Sequence, residues 1–207
     1  MFEKFNEFFS IKNIIEKEIK LGDLRTVDVN GFQEFFSKYE GKSLGEGIYR
    51  IHKYKNIVKW NNIISNCFPK YNNKIYCFGY DWLGRQFALD FNNIFKNEPQ
   101  ILMFEPGTGC VLNIPCDFIK FHENEITTYS ESCLSSDFFK IWIKNNNYNL
   151  KLNECAAYRI PLFLGGKDEL ENIVISDIEL YWEICTQLIN ETKNLPLGTV
   201  INNIEIN

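Results

Sequence analysis

Four carboxylates, Asp81, Asp90, Glu105 and Asp117, stand at or beside the ends of short apolar runs in this 207-residue chain. Side chains at the ends of paired strands can meet at one sheet edge. Two carboxylates held close in different surroundings can divide acid and base roles, as in a small hydrolase or a ligand-binding enzyme. The simpler reading is that acids at hairpin ends are solvated or accept hydrogen bonds from turn amides. Trp82 and Arg85 lie among them and are of the residue types that anchor protein interfaces. The run Gly79-Tyr80-Asp81-Trp82-Leu83-Gly84-Arg85-Gln86 imitates a phosphate-binding loop. That loop needs Lys then Ser or Thr after its second glycine, to reach phosphate and hold Mg²⁺. Arg85 and Gln86 stand there instead, so a tight hairpin explains the glycines better. Glu105-Pro106-Gly107-Thr108-Gly109 likewise reads as a turn, because Pro presets φ and Gly admits positive φ. His52 and His122 lie far apart with no paired ligand nearby. The seven cysteines (67, 77, 110, 116, 133, 155 and 185) include no Cys-x-x-Cys pair, which zinc sites require. No Gly-x-Ser-x-Gly elbow is present. The expectation is no catalytic residue, no metal and no cofactor.

The elements that would position these residues follow from hydrophobic period. Phe2, Phe5, Phe8, Phe9, Ile11, Ile14, Ile15 and Ile19 recur at helical spacing, with Ser10 placed to cap a second helix and Gly22 to stop it. A helix is expected near 30–39, on Phe32, Phe35, Phe36 and Tyr39, and another over 55–66. Gly45-Glu46-Gly47 turns into a short strand at Ile48 to Ile51. Strands at Lys74 to Tyr80 and Arg85 to Asp90 join through Asp81-Trp82-Leu83-Gly84 as a hairpin. A second hairpin runs Ile101 to Glu105 and Cys110 to Ile114. Residues 91–100, with Asn92, Asn93 and Pro99, read as a loop between the two. Ser135 or Ser136 opens a helix on Phe138, Phe139, Ile141 and Trp142 that ends at Asn145-Asn146-Asn147. Tyr158 to Leu164 reads as a strand before Gly165-Gly166. Ser176-Asp177-Ile178-Glu179 matches a capping box, and the helix it opens carries Ile178, Tyr181, Trp182, Cys185, Leu188 and Ile189 on one stripe, ending before Pro196. Helices, then a meander of strands, then helices predict an α+β fold: a largely antiparallel sheet of hairpins flanked by N-terminal and C-terminal helices.

Composition narrows the classes. Aromatics are 15% of the chain, too many for a disordered segment. No apolar run approaches the roughly 20 residues that span a bilayer. Acidic residues begin at Glu3, which suits neither a secretory signal nor a transit peptide, so a cytoplasmic protein with reduced thiols is expected. A net charge of −5 does not suit direct binding to a phosphate backbone, and neither nucleic acid nor membrane is expected as a partner.

Three blocks carry a resemblance. They are Phe78-Gly-Tyr-Asp-Trp-Leu-Gly-Arg-Gln-Phe-Ala-Leu-Asp90, Leu102-Met-Phe-Glu-Pro-Gly-Thr-Gly-Cys-Val-Leu-Asn-Ile-Pro115, and Pro161 to Asn172 continuing to Cys185. Over roughly residues 25–190 the chain resembles the immunity proteins of type VI secretion DNase effectors. Leu44 to His52 resembles the end of that family's GAD-like region, and a wider kinship with the SUKH superfamily is implied. The resemblance divides a single compact unit of 1–207 into a GAD-like part at about 1–75 and an immunity-type part at about 76–195. It implies a non-enzymatic protein that binds a cognate toxin, a nuclease effector, and occludes its active site. Loop position and residue type nominate Asp81, Trp82, Arg85 and Glu105 as partner-binding residues. A regulatory scaffold without a toxin partner is the further alternative.

Overall fold

The computed structural model describes residues 1–12, 28–196, 198 and 199. Two short helices, α1 (Glu3–Phe8) and α2 (Phe32–Tyr39), precede strands β1 (Ser43–Leu44) and β2 (Tyr49–Ile51). Helix α3 (Ile57–Cys67) leads to β3 (Ile75–Asp81), β4 (Gln86–Phe95), β5 (Glu98–Glu105) and β6 (Cys110–Ile114). A helical stretch follows: α4 (Phe118–Lys120), a π-helical turn at Phe121–Glu125, α5 (Ile126–Thr128), α6 (Ser130–Leu134) and α7 (Ser136–Asn146). Strands β7 (Glu154–Tyr158) and β8 (Ile173–Asp177) and helix α8 (Ile178–Thr192) close the chain's described part. Strands β1 to β6 form one antiparallel sheet in sequence order, and β7 pairs antiparallel with β8. This is the expected α+β fold, with its sheet built from hairpins.

Both faces of the sheet are covered. Tyr76, Phe78, Phe87, Leu89, Ile101 and Met103 bury to one side, with Phe35, Phe118, Phe121 and Trp142 from the helices. Ile75, Cys77, Ala88, Leu102 and Phe104 bury to the other, under Trp60 and Ile64 of α3 and Tyr181 and Trp182 of α8. Alternation along each strand sends successive side chains into different cores, which explains why β3 reads as a continuous apolar run.

Several local expectations change. Residues 91–100 are a hairpin rather than a loop: β4 runs to Phe95, β5 starts at Glu98, and Lys96-Asn97 turns between them with φ of 52° and 64°. Paired positive φ values make the two-residue turn whose twist suits a hairpin. Pro99 is tolerated because β6 pairs with β5 only from Ile101 onward, so its missing N–H faces no neighbour. Tyr158 to Leu164 is not one strand: β7 ends at Tyr158 and Leu162–Leu164 is a 3-10 turn. Asp177, not Ser176, caps α8, accepting from the N–H groups of Glu179 and Leu180 at 3.0 and 3.2 Å. Glu179 does not reach back; it pairs with Lys59. At α7 neither serine side chain caps, and the Glu131 carboxylate takes the Asp137 N–H at 2.6 Å instead. The second helix expected between Ser10 and Gly22 falls mostly on residues 13–27, outside the described residues.

Candidate interaction site

The sheet has two ends of opposite character. At one, the β3–β4 turn is locked from three directions. Asp81 Oδ1 accepts from the N–H groups of Leu83 and Arg85, and its Oδ2 accepts from Arg85 Nε at 2.6 Å. Arg85 also donates to the Cys133 carbonyl at 3.1 Å and sits 3.7 Å from Glu105. Burial alone would lower the Arg85 pKa, but the carboxylates of Asp81 and Glu105 outweigh it and hold the guanidinium charged. Burial pushes the Asp81 carboxyl upward against the pull of Arg85. Trp82 Nε1 donates to the Leu134 carbonyl at 2.9 Å, and its ring packs on Phe138, Phe139 and Trp142. From the other face, Trp182 Nε1 donates to the Gly84 carbonyl at 2.8 Å. Gly84 holds φ of 79°, where a side chain would be strained, and a Cβ there would meet Cys155. Gly107 lets the second turn lie against Tyr158, since a Cβ would come within 2.5 Å of that ring.

Arg50 completes this joint. It is 0% exposed, and its guanidinium donates to the carbonyls of Asp81 at 2.7 Å and Lys151 at 3.0 Å, and to that of Glu154. The guanidinium carbon lies 4.6 Å over the Tyr80 ring, and Nε has no hydrogen-bond partner. Arg50 thus ties the N-terminal strands to the 151–154 segment through backbone acceptors alone.

Both histidines are interior groups. His52 stacks against both Trp60 and Tyr80 and donates from Nε2 to Gln86 Oε1 at 2.7 Å. His122 donates from Nδ1 to the Phe118 carbonyl at 2.8 Å, so its Nε2 accepts from the Tyr49 hydroxyl at 3.0 Å. Burial lowers each pKa to about 3, so both are neutral at pH 7. Burial also pushes up the six interior thiols, Cys67 and Cys133 to about 11, which leaves them poor nucleophiles.

The opposite end of the sheet is open. β3 pairs with β4 only as far as Ile75↔Asp90, while β4 and β5 continue through Ile94↔Pro99 and Phe95↔Glu98. Residues 91–98 therefore form a two-stranded finger that outruns both neighbouring strands. Its apolar side chains face solvent: Phe91 is 42% exposed, Ile94 49% and Phe95 58%. Lys96 Nζ lies 5.4 Å over the Phe95 ring at the tip.

The four nominated contact residues divide accordingly. Asp81 and Trp82 are 0% exposed and Arg85 5%, so in the free chain they present no side chain to a partner. Their residue types suit a desolvated anchor, and here the surface they anchor is internal. Glu105 is half-buried and accepts from the Thr108 hydroxyl at 2.6 Å. The four carboxylates do not converge. Asp81 and Glu105 share the joint, Asp90 lies at the far end opposite Gln100, and Asp117 caps α4 through the Lys120 N–H at 2.8 Å. Among the described residues no three His, Cys, Asp or Glu side chains gather to hold a metal ion, and no helix is long and apolar enough to cross a membrane. Neither the finger nor the Arg50 clamp is legible from sequence. The Asn and Pro content hid the first, and nothing local marks the second.

Comparison with known proteins places the C-terminal part. Residues 117–189 match the family described as T6SS immunity protein Tdi1, C-terminal. No curated protein matches the chain. A solved structure, "Crystal structure of Atu4351 from Agrobacterium tumefaciens", is similar with a TM-score of 0.64 at 15% identity, covering 90% of this chain and 89% of that one. At that identity the likeness is one of fold. The GAD-like and SUKH affiliations lie outside the family match, which begins after the six-stranded sheet ends. The Cys133, Leu134 and Glu154 carbonyls and the Trp182 indole, which close the joint from the far part of the chain, fall within the match. From residue 117 to residue 189 the chain is similar to the C-terminal domain of a type VI secretion immunity family.

Proposed function

We propose that this protein binds a cognate nuclease effector in the cytoplasm and neutralises it by covering its active site. The observation that carries this is the family match over residues 117–189. Charge supports it. That segment holds twelve Asp or Glu against six Lys or Arg, a net of −6, while the whole chain is −5. All of the net negative charge therefore sits in the immunity-type segment. An acidic surface complements the basic groove with which a nuclease holds phosphate, and it speeds encounter between the two proteins. Neutralisation by this route needs no chemistry from the chain, only a stable surface. The buried joint serves as the frame: Asp81, Trp82 and Arg85 hold the acidic segment against the sheet, and Glu105 lies at its margin.

The test is co-expression of the tagged protein with the C-terminal nuclease domain of any toxin encoded beside its gene, followed by purification and a DNA-cleavage assay. A stable complex with suppressed cleavage supports the proposal. Separate elution with cleavage undiminished overturns it and returns the protein to the scaffold or ligand-binding readings.

A further inference from the structure

We propose that the outer edge of β8 takes up an extended, lysine- or arginine-bearing segment of the effector as a third strand of the β7–β8 sheet. This rests on the toxin-binding reading above and deepens it by naming the surface and the chemistry it fits.

The edge is free by register. β7 and β8 form a two-stranded sheet in which Glu154, Ala156 and Tyr158 stand opposite Asp177, Ile175 and Ile173. Ladder bonds flank those pairs: the Ile178 N–H donates to the Asn153 carbonyl at 2.9 Å, and the Arg159 N–H to the Asn172 carbonyl at 2.7 Å. Bonded and non-bonded pairs alternate between antiparallel strands, so Ile173, Ile175 and Asp177 turn their backbone groups away from β7. The Ala156 N–H has the same phase, since it points away from β8 and donates to the Trp82 carbonyl at 2.7 Å. The Ile173 N–H closes onto the Leu170 carbonyl, and the Asp177 carbonyl accepts from the Ser176 hydroxyl. The Ile173 carbonyl, both groups of Ile175 and the Asp177 N–H are left directed outward, with no backbone partner among the described residues. Spread over five residues, they are the groups to which an added strand bonds. Edge strands are commonly guarded by a bulge, a proline or a lysine. β8 has none of these: its register is unbroken, its sequence is Ile-Val-Ile-Ser-Asp, and its central Ile175 is 43% exposed.

Charge selects the occupant. Residues 168–183, which include all of β8, hold six carboxylates and no lysine or arginine. Three cations stand close to them: Lys59 pairs with Glu179, Lys167 lies 3.9 Å from Glu169, and Arg159 bonds to the Asn172 backbone. Lys151 and Glu154 pair with each other, so the net charge around the edge is −3. Glu171 and Glu183 are exposed and enter no hydrogen bond or ion pair among the described residues. A second copy of this chain would set that charge against itself, whereas a strand bearing Lys or Arg meets it favourably. Residues two apart on a strand share a face, so the matching pattern is an apolar residue against Ile175 and a cation two positions along, against Asp177. Strand β6 also ends its sheet, but it lies outside residues 117–189. In this arrangement main-chain bonds supply grip and the carboxylates supply selection, which suits a surface that must hold one basic protein.

The test uses the full chain and the purified nuclease domain of any toxin encoded beside its gene. Ile175→Pro removes an outward N–H and leaves the β7–β8 ladder in place, since Ile175 donates to no residue of β7. Glu171→Lys with Glu183→Lys reverses charge at two side chains that hold nothing else. Glu3→Lys with Glu7→Lys makes the same change of net charge on α1 and is the control. The expected Kd increases are at least about thirtyfold for Ile175→Pro and about tenfold for the Glu171/Glu183 variant, with less than about threefold for the control. Amide hydrogen exchange over residues 173–177 should slow at least about tenfold when the wild-type complex forms, because the outward N–H groups of Ile175 and Asp177 acquire acceptors. The inference is overturned if wild type binds and exchange over 173–177 stays as it is in the free protein, or if either edge variant folds and binds within about twofold of wild type. Should Ile175→Pro fail to fold, exchange in the wild-type complex and the Glu171/Glu183 variant decide. It is also overturned if the free protein is a dimer that Ile175→Pro dissolves, because the edge then meets a second copy. No wild-type complex at all defeats the toxin-binding reading itself, a distinct failure.

Discussion

Replacing Arg50 with Met probes whether the two parts of the chain are held by one buried guanidinium. Arg50 spans β2 and the 151–154 segment, with three carbonyl acceptors and no carboxylate in contact. Met fills a similar length of apolar stem but offers no donor. Hydrogen bonds from a charged donor contribute about 1.5–3 kcal/mol each, and a stranded buried acceptor costs about 1–3 kcal/mol. Two losses are softened here: the Asp81 carbonyl also accepts from the Gly84 N–H and the Lys151 carbonyl from the Glu154 N–H. Removing the buried cation also relieves its own desolvation, which lowers the Arg50 pKa, and that offsets part of the loss. The net expectation is about 2–4 kcal/mol of destabilisation. For a chain of this size that is a fall in Tm of roughly 4–16 °C. Urea unfolding followed by tryptophan fluorescence measures it, and hydrogen exchange should show 151–158 opening first. Arg50→Met within about 1 kcal/mol of wild type would refute the reasoning: the guanidinium's desolvation would then cancel its bonds, and Trp82 and Trp182 would be the true fasteners.

Other outcomes follow from the same geometry. Asp81→Ala should cost about 3–5 kcal/mol by stranding the Arg85 charge, and the double substitution Asp81→Ala/Arg85→Met should recover part of that in a double-mutant cycle. His52 and His122 are buried neutral with pKa values near 3, below the 6.5 of the unfolded chain, so the unfolded state binds more protons between those limits. Stability contributed by neutral burial is full well above pH 6.5 and falls as pH drops toward 3; from pH 6.5 to 5 the two together should lose about 3 kcal/mol, read as urea midpoints across pH. His122→Phe should flatten that slope. Lys96→Asn/Asn97→Gly should raise stability by about 1 kcal/mol through relief of the turn, measured by the same melts.

The regular parts of the fold were readable because their patterns are local. Phe32, Phe35, Phe36 and Tyr39 mark α2 by period, and all four are buried. Ile178 to Leu188 marks α8 the same way. The strands of both hairpins were placed to within a few residues because glycine and proline punctuate their turns. Where several donors compete for one end, period says little. Asp177 and Ser176 both offer an oxygen to α8, and only backbone geometry decides for Asp177. From sequence the finger reads as a loop because Asn92, Asn93 and Pro99 are turn formers, while its pairing depends on where β3 and β6 stop. The burial of the nominated contact residues has a related cause. Trp82 and Arg85 sit on a turn, and turns are usually exposed, but α6, α7, β7 and α8 fold over this one from far along the chain. Long-range coverage of that kind has no local signature, and the buried Arg50 clamp has none either.

The central claim is neutralisation by a stoichiometric protein surface. The most direct measurement titrates this protein into the nuclease domain of any toxin encoded beside its gene, at a concentration far above Kd, and follows DNA cleavage. The account predicts a linear fall reaching zero at one equivalent, with no change in the protein itself. Cleavage that stays constant through several equivalents would contradict it, and so would loss of cleavage at a small fraction of one equivalent, which would mean that the protein acts catalytically on its target.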